Sequence, residues 1–216
     1  MTRLDAFSII CSNDDTAIWR CEMEVKLKEV CEVQLGYAFR TRIEPAFEGN
    51  ISVIQMKDLT SQNLVDSSDL VRIHFDDMKD HHFVRKGDLA FRSRGLDTTS
   101  ALIMDEITEC VIAAPLYLLR VKEPERLNPS YLNWFISQSK AQTWLRKRTE
   151  GSNQKMVSRQ ALEEMVVDLP IMEKQMKVIE IVSLGEHETS LLKKLTSTKK
   201  VYTNAVLQRY AEGEAK

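Results

Sequence analysis

An α+β fold is predicted for this 216-residue chain, because short strand-like runs fill its first half and helical spacing fills the rest. With 43% hydrophobic and 29% charged residues, the composition is that of an ordinary globular protein. We expect a globular head over residues 1–170, in which helices pack on a curled mixed β-sheet. A long C-terminal coiled-coil helix is expected over residues 171–216.

The strand region extends from about residue 17 to residue 119. Apolar or alternating runs at Ile51–Ile54, Asp88–Phe91 and Val111–Val121 are separated by turn-forming residues around Gly49, Gly87 and Gly95. Residues 106–121 hold enough apolar side chains for an inner strand pair.

Helical spacing begins at Asn128, because asparagine caps free amides and Pro129 is tolerated at the first helical position. The apolar positions of this predicted helix are Leu132, Phe135 and Ile136. We expect the helix to pack on the sheet and to end before Gly151. A short helix at Ser158–Glu164 and a strand at Met165–Leu169 are expected to complete the head.

Beyond Pro170 the chain has no proline and only two glycines, which permits one helix of about 40 residues, roughly 60 Å long. Steps of three and four connect Ile181, Leu184, Glu188, Leu191, Leu195, Thr198, Tyr202 and Ala205. This spacing predicts a coiled-coil seam with two polar defects, which requires a second helix. The alternative is that the helix lies across the surface of its own head.

Composition limits the cellular context. No stretch of about 18 apolar residues is present, and charged residues interrupt the first ten positions, so we expect a cytoplasmic protein without a membrane segment or signal peptide. Four cysteines (Cys11, Cys21, Cys31 and Cys110) form no C-x-x-C pair, and they are interpreted as reduced thiols.

Positive charge is local, since the net charge is -2 and the pI is near 6.1. One basic segment comprises Lys140, Arg146, Lys147, Arg148, Lys155 and Arg159, with only Glu150 opposing it. A second comprises Arg85, Lys86, Arg92 and Arg94, with only Asp88 opposing it.

Catalytic chemistry is not indicated. The residues His74, Asp76, Asp77, Asp80, His81 and His82 are metal-compatible types. They lack a helical i, i+4 histidine pair and a cysteine partner, which favours a solvated turn. Glu24-Val-Lys26 has nuclease-like spacing without a preceding aspartate in a strand context. With no phosphate loop, nucleophile elbow or methyltransferase motif, we expect no catalytic residue, no metal and no cofactor.

Three segments, in order, carry a family resemblance. They are residues 28–59, residues 85–95, and residues 127–175 with their Leu127-Asn-Pro, Gly151-Ser-Asn-Gln and Leu169-Pro-Ile-Met-Glu-Lys-Gln stretches. Together they resemble a target-recognition domain and spacer entrance of the specificity subunit of type I restriction-modification systems. Such subunits usually carry two recognition domains and two antiparallel spacer helices, so this chain resembles a half-subunit.

The resemblance implies sequence-specific binding of double-stranded DNA without catalysis. Similar subunits hold DNA against methyltransferase subunits that methylate adenine, and in complete systems against a motor-nuclease subunit. We expect two copies to pair as a homodimer through Ile181, Leu184, Leu191, Leu195, Tyr202 and Ala205. Two inverted heads would then read a bipartite target.

Basic and amide side chains in loops are the expected DNA contacts, since arginine and lysine bond guanine edges or phosphates and amides bond adenine edges. The predicted set is Arg40, Arg42, Lys57, Arg92, Arg94, Lys147, Arg148, Asn153, Gln154 and Lys155. The alternative for each is a solvated surface charge, and Arg146 to Arg148 could instead complement a helix dipole. Tyr131, Trp134 and Trp144 are predicted to be core or interface residues rather than base-stacking ones. Two other functions stay open: a free-standing DNA-binding regulator and a small metal-dependent nuclease.

Overall fold

The structure is a computed structural model that describes residues 23–76, 78–94, 99–150 and 156–212. The strands in chain order are β1 (Glu24–Lys26), β2 (Cys31–Leu35), β3 (Ile51–Ile54), β4 (Val71–Ile73), β5 (Leu89–Arg92), β6 (Ser100–Leu102), β7 (Cys110–Ile112), β8 (Leu116–Val121), β9 (Thr149–Glu150), β10 (Met156–Val157) and β11 (Val166–Asp168). The helices are α1 (Leu27–Val30), α2 (Pro129–Ser137), α3 (Ser139–Lys147), α4 (Arg159–Glu163) and α5 (Met172–Ala211). Short 3₁₀ turns occur at Met56–Asp58 and Asp80–His82. The predicted α+β class is confirmed.

Two main sheets form the head. An antiparallel sheet has the strand order β2-β8-β5-β6, and a mixed sheet has the order β4-β3-β7, in which β3 and β7 run parallel. β1 and β11 pair antiparallel, which joins the start of the described chain to the end of the head. The predicted strand at Ile51–Ile54 is confirmed, and the second predicted strand is shifted by one residue to Leu89–Arg92.

The antiparallel sheet is buried on both faces. In β8, Tyr117 and Leu119 belong to one apolar cluster while Leu116 and Leu118 belong to another, as the alternation of side chains in a strand requires. Helices α2, α3 and α4 cover the first face, and the mixed sheet covers the second. Two-sided burial explains why these strands read as continuous apolar runs rather than as alternating ones.

The apolar run from residue 111 to 121 is two strands that lie in different sheets. β7 belongs to the mixed sheet and β8 to the antiparallel one, and the chain turns between them through a cis Ala114–Pro115 peptide bond. The predicted inner strand pair is therefore wrong: both strands are buried and β8 is an inner strand, but β7 lies at the edge of the other sheet and does not pair with β8.

The predicted helix from Asn128 is confirmed at its start and corrected at its end. Asn128 Oδ1 accepts a hydrogen bond from the backbone N–H of Ser130 at 2.8 Å. The helix stops at Ser137 and a second one begins at Ser139, with Gln138 in an extended conformation. The Gln138 side-chain amide donates to Trp134 O at 2.9 Å, and this bond satisfies a carbonyl at the break, where no proline or glycine is present.

The helix α4, the strand β11 and the long helix α5 lie where the sequence predicts them. Ser158 Oγ caps α4 by accepting from Ala161 N at 3.2 Å, and β11 lies within the predicted strand at residues 165–169. α5 is a single 40-residue helix, here called the rod. Only its first turns pack on the head, through Gln175, Val178 and Ile179.

Candidate nucleic-acid interface

The loops that carry the predicted DNA contacts leave one edge of the antiparallel sheet. β2 and β5 both flank β8, and both end where β8 begins, with Leu35 opposite Tyr117 and Arg92 opposite Leu116. Because two strand spacings separate β2 from β5, the segments after Leu35 and Arg92 emerge roughly 10 Å apart. We call this side of the head the loop edge.

A glycine directs the chain where it leaves β2. A side chain at Gly36 would come within 2.8 Å of the backbone of Ala113, which leaves room only for a hydrogen. The N–H groups of Gly36 and Tyr37 donate to Leu116 O at 2.8 Å and to Ile112 O at 2.6 Å. The loop at residues 36–50 is thereby led over the mixed sheet.

Three predicted contacts meet on and beside this loop. An open hollow of about 760 Å³ is lined by Arg40 and Arg42, and a neighbouring hollow of about 450 Å³ is lined by Arg42 and Lys57. All three side chains are exposed. The ammonium of Lys57 lies 3.6 Å from the buried carboxylate of Asp58, whose other oxygen accepts from Gln55 N. The sequence placed Lys57 apart from the two arginines, and the fold brings it beside Arg42.

Aromatic side chains support the loop from below. The Tyr37 ring makes edge-to-face contacts with Phe39, Phe75 and His82, at centroid distances of 4.8, 5.3 and 5.2 Å. His82 Nδ1 is hydrogen-bonded to Gln34 Nε2 at 3.0 Å, and burial lowers the pKa of its imidazole. This aromatic floor was not among the predicted functional residues, and it fixes the base of the loop while the arginines stay in solvent. Its one sequence signal was the closely spaced Tyr37 and Phe39.

Arg92 and Arg94 share one side of the chain at the loop edge. Exposure alternates, because Phe91 and Ser93 are buried while Arg92 is half-buried and Arg94 is exposed. Ser93 Oγ donates a hydrogen bond to Pro115 O, and the backbone of Arg94 forms an isolated antiparallel β-bridge with that of Met156. The Nε of Arg92 is buried without a hydrogen-bond partner in the described part of the chain. The two side chains therefore leave the chain on the same side, with Arg94 in solvent and Arg92 partly covered.

A second group of predicted contacts adjoins Arg94. β9 and β10 pair antiparallel, and Val157 N donates to Ser93 O at 2.9 Å, so this strand pair lies beside the end of β5. Lys147 and Arg148 are exposed at the end of α3, directly before β9. Three further predicted contacts, Asn153, Gln154 and Lys155, lie outside the described residues, in the chain between β9 and β10.

Arg148 is held by stacking. Its guanidinium carbon lies 3.2 Å from the centroid of the Trp144 ring, a cation–π contact. Trp144 is half-buried against the main apolar cluster, as predicted, and its Nε1 has no hydrogen-bond partner among the residues described. Arg148 is therefore presented from a rigid aromatic support.

Ion pairs redistribute the charge that the sequence suggested. The Asp88 carboxylate is buried and bonds Arg120 through Nε at 2.9 Å and Nη2 at 2.6 Å, so it does not neutralise Arg92 or Arg94. Lys140 is paired with Asp168 and Glu24 on the face of the antiparallel sheet away from the mixed sheet, and the hydrogen bonds that its ammonium donates to these carboxylates raise its pKa. Among the described residues, Asp88 is thus paired with Arg120 rather than with Arg92 or Arg94, and Lys140 is neutralised by two carboxylates.

The histidine-rich segment does not form a metal centre in the described residues, where no three His, Cys, Asp or Glu side chains could hold an ion. The His81 and His82 rings contact each other at a centroid distance of 4.1 Å, and His82 bonds Gln34. Asp77 lies outside the described residues.

The rod exposes a long apolar stripe. The large exposed apolar residues of the whole rod are Met176, Ile181, Leu184, Leu191, Leu192, Leu195, Val201, Tyr202, Val206, Leu207 and Tyr210. The stripe consists of those on the predicted seam and beside it, whereas Leu207 lies on nearly the opposite side of the helix. Ala205 of the predicted seam is also exposed. Leu192 and Val206 widen the seam beyond the predicted positions, since each follows a seam residue directly. At about 100° per residue, the seam lies on nearly the opposite side of the helix from Gln175 and Val178, which contact the head.

No helix among the described residues is long and apolar enough to cross a membrane.

Residues 22–200 match the family model described as type I restriction modification DNA specificity domain. The match covers well over half of the chain, and the chain belongs to this family.

Solved structures share the fold. The HsdS subunit from Thermoanaerobacter tengcongensis is 16% identical with a TM-score of 0.58, over 80% of this chain and 39% of that chain. The type I restriction-modification S subunit from M. genitalium is 12% identical with a TM-score of 0.54, over 82% and 42%. A chain from a structure described as the basis of complex assembly and conformational transition of the type I R-M system is 18% identical with a TM-score of 0.61, over 82% and 41%. This chain thus spans about two fifths of each, and no curated protein matches it.

Proposed function

We propose that this chain is a half-length specificity subunit that binds double-stranded DNA and directs a partner adenine methyltransferase to a bipartite target. The observation that carries the proposal is the arrangement of the loop edge, where Arg40, Arg42 and Lys57 lie on one side and Arg92, Arg94 and Arg148 on the other. Membership of a DNA specificity family supports this assignment of the charge.

The two parts of the chain have different proposed roles. The head, residues 1–170, reads DNA with the predicted contact set, in which Lys147, Asn153, Gln154 and Lys155 join the residues above. The region 171–216 pairs with a second copy and contacts the methyltransferase and, in a restricting complex, a motor-nuclease subunit. The chain itself is non-catalytic, as specificity subunits of this family are.

Pairing of two rods is supported by their exposed apolar stripe. Leu184, Leu191 and Leu195 are 63%, 52% and 65% exposed, which would be unfavourable for a rod that stayed alone in water. A stripe turned away from the head cannot be covered by that head. A self-complementary two-fold contact between two copies would cover it and place the heads in inverted orientation.

Sedimentation and DNA selection test the proposal together. The full chain at micromolar concentration should sediment as a dimer and should select, from a random duplex library, two inverted half-sites separated by a fixed gap. Addition of the methyltransferase subunit should retain both properties. A monomer that selects no sequence, alone or with the methyltransferase, would contradict the proposal.

A further inference from the structure

The joint between rod and head is built around one buried amide. Gln175 is fully buried, and no other residue of α5 is. Its Oε1 accepts from the backbone N–H of Asn128 at 2.8 Å, and its Nε2 donates to Arg126 O at 2.9 Å and Pro170 O at 2.8 Å. The polar atoms of this buried amide are therefore all hydrogen-bonded, and they hold three backbone groups of the head.

These partners belong to a rigid part of the head. Asn128 caps α2, and Leu132 and Ile136 of that helix are completely buried. Asn133 further ties α2 to the antiparallel sheet, since its Oδ1 accepts from Ser100 Oγ at 2.8 Å. Gln175 thus connects the first turns of the rod to a helix that is itself fixed on the core.

The further contacts at the base of the rod are few, and one of them is the hydrogen bond that Asn128 Nδ2 donates to Met176 Sδ at 3.4 Å. Val178 and Ile179 are partly buried against the head, and residues 183–212 are exposed. Because the contact is short and the rod is long, small changes of angle have large effects. A tilt of about 20° at Gln175 would move Lys199, 24 residues further on and roughly 36 Å away, by about 12 Å.

We infer that Gln175 is a positioning residue that sets the angle between rod and head. On the proposed function, on which this consequence rests, that angle fixes the distance between two paired heads and hence the gap between their half-sites. Recognition of the bases belongs to the loop edge, so the joint determines spacing without contacting DNA.

Distances within one chain test the joint directly. Paramagnetic labels at Asp69→Cys in the head and Lys199→Cys in the rod, with Cys11 and Cys21 replaced by serine, should give one narrow distance distribution. Gln175→Met keeps the volume and removes all three hydrogen bonds. It should broaden the distribution or shift its mean by up to about 10 Å, which is the displacement of Lys199 that a 15–20° tilt produces. The labelled chains are diluted with unlabelled chain, so that only distances within a chain are observed.

The matched control is Gln208→Met, the same substitution at an exposed position of the same helix. It should leave the distance distribution unchanged. An unaltered distribution in folded Gln175→Met, verified by a cooperative thermal transition, would overturn the inference.

Hydrogen exchange on the natural sequence gives a second test that depends on no variant. The Asn128 N–H is bonded to Gln175 and lies outside any helix or strand, so a rigid joint predicts exchange as slow as that of core amides such as Leu119. Exchange at the rate of an exposed amide would overturn the inference even if Gln175→Met did not fold.

The effect of the joint on function is measured as the length of the gap between the half-sites that the protein selects. The natural chain should recover one gap length from a random duplex library, and Gln175→Met should recover several, with the same half-sites. Recovery of one identical gap by both would overturn the role of Gln175 in spacing. If the natural chain selected no sequence, the proposed function would fail while the distance and exchange measurements would still decide the joint.

Discussion

The loop edge makes a quantitative prediction about salt. Replacing Arg40, Arg42 and Lys57 together by glutamine removes three exposed positive charges that line two adjoining hollows. Each phosphate contact contributes about 0.9 to the slope of log affinity against log salt concentration. If all three side chains contact phosphates, the slope should fall by about 2.7 for each head.

The same slope gives the loss of affinity. At about 0.15 M salt, a slope change of 2.7 corresponds to roughly 2.2 logarithmic units, which is on the order of 100-fold weaker binding for each head. A smaller loss is expected from any contact that reads a base rather than a phosphate, because base contacts depend on the target sequence.

The matched control removes the same charge from the other end of the sheet. Arg85 and Lys86 precede β5, and Lys122 follows β8, so these three lie opposite to the loop edge. Their glutamine triple variant has the same net charge as the first. It should keep the slope of the natural protein to within about half a unit, since distant exposed charges are screened beyond about 10 Å.

Fluorescence anisotropy of a labelled mixed-sequence duplex, titrated between about 50 and 300 mM salt, measures both quantities for the three proteins. Equal slopes for all three would refute the assignment of the loop edge. Equal losses in both triple variants would show that net charge alone governs binding.

Three further predictions concern the rod and the head. Leu195→Glu should weaken rod pairing by at least 100-fold in sedimentation, because each buried leucine contributes about 1.5–3 kcal/mol and a two-fold contact contains it twice. Leu207→Glu, on the other side of the rod, should have little effect on pairing. Asp88→Ala should lower the free energy of unfolding by about 3–5 kcal/mol in urea titration, because it leaves the half-buried Arg120 guanidinium unpaired. Ion pairs with Lys26 and Lys28 lower the Glu164 pKa from 4.5 to about 2. The stability that these pairs contribute is therefore complete above about pH 5 and is lost as the pH falls towards 2. Glu164→Gln should flatten that part of a plot of unfolding free energy against pH.

Each of these has a contradicting outcome. Equal effects of the two leucine variants would mean that the stripe is not the pairing surface. Full stability of Asp88→Ala would mean that Arg120 reaches solvent when unpaired. If the unfolding free energies of Glu164→Gln and the natural protein fell equally as the pH dropped towards 2, other carboxylates would be responsible for the loss of stability in acid.

The parts of the fold that depend on local chemistry were predictable. The cap at Asn128, the absence of proline after Pro170 and the apolar runs of the strands each determine their element without reference to the rest of the chain. The break between α2 and α3 at Gln138 was not predictable, because no proline or glycine marks it in the sequence. It depends on the side-chain amides of Gln138 and Gln142, which donate hydrogen bonds to backbone carbonyls of α2. The separation of β7 from β8 into different sheets is a tertiary choice that an apolar run does not encode.

The candidate interface was partly predictable for the same reason. Residue type singled out Arg40, Arg42 and Arg94 as exposed donors, but their grouping depends on β2 and β5 ending at the same edge. The sequence counted Asp88 as a neighbour that neutralises Arg92, whereas the fold pairs it with Arg120. Gln175 was invisible as a joint, since its three partners come from the segments around residues 126–128 and 170.

Methylation mapping of a host genome with and without this chain tests the central claim most directly. If the chain directs an adenine methyltransferase through paired heads, its removal should erase methylation at one bipartite motif with inverted, identical half-sites and one gap length, and leave all other motifs unchanged. A methylation pattern that is identical with and without the chain, in a host that expresses the methyltransferase subunit, would contradict the account.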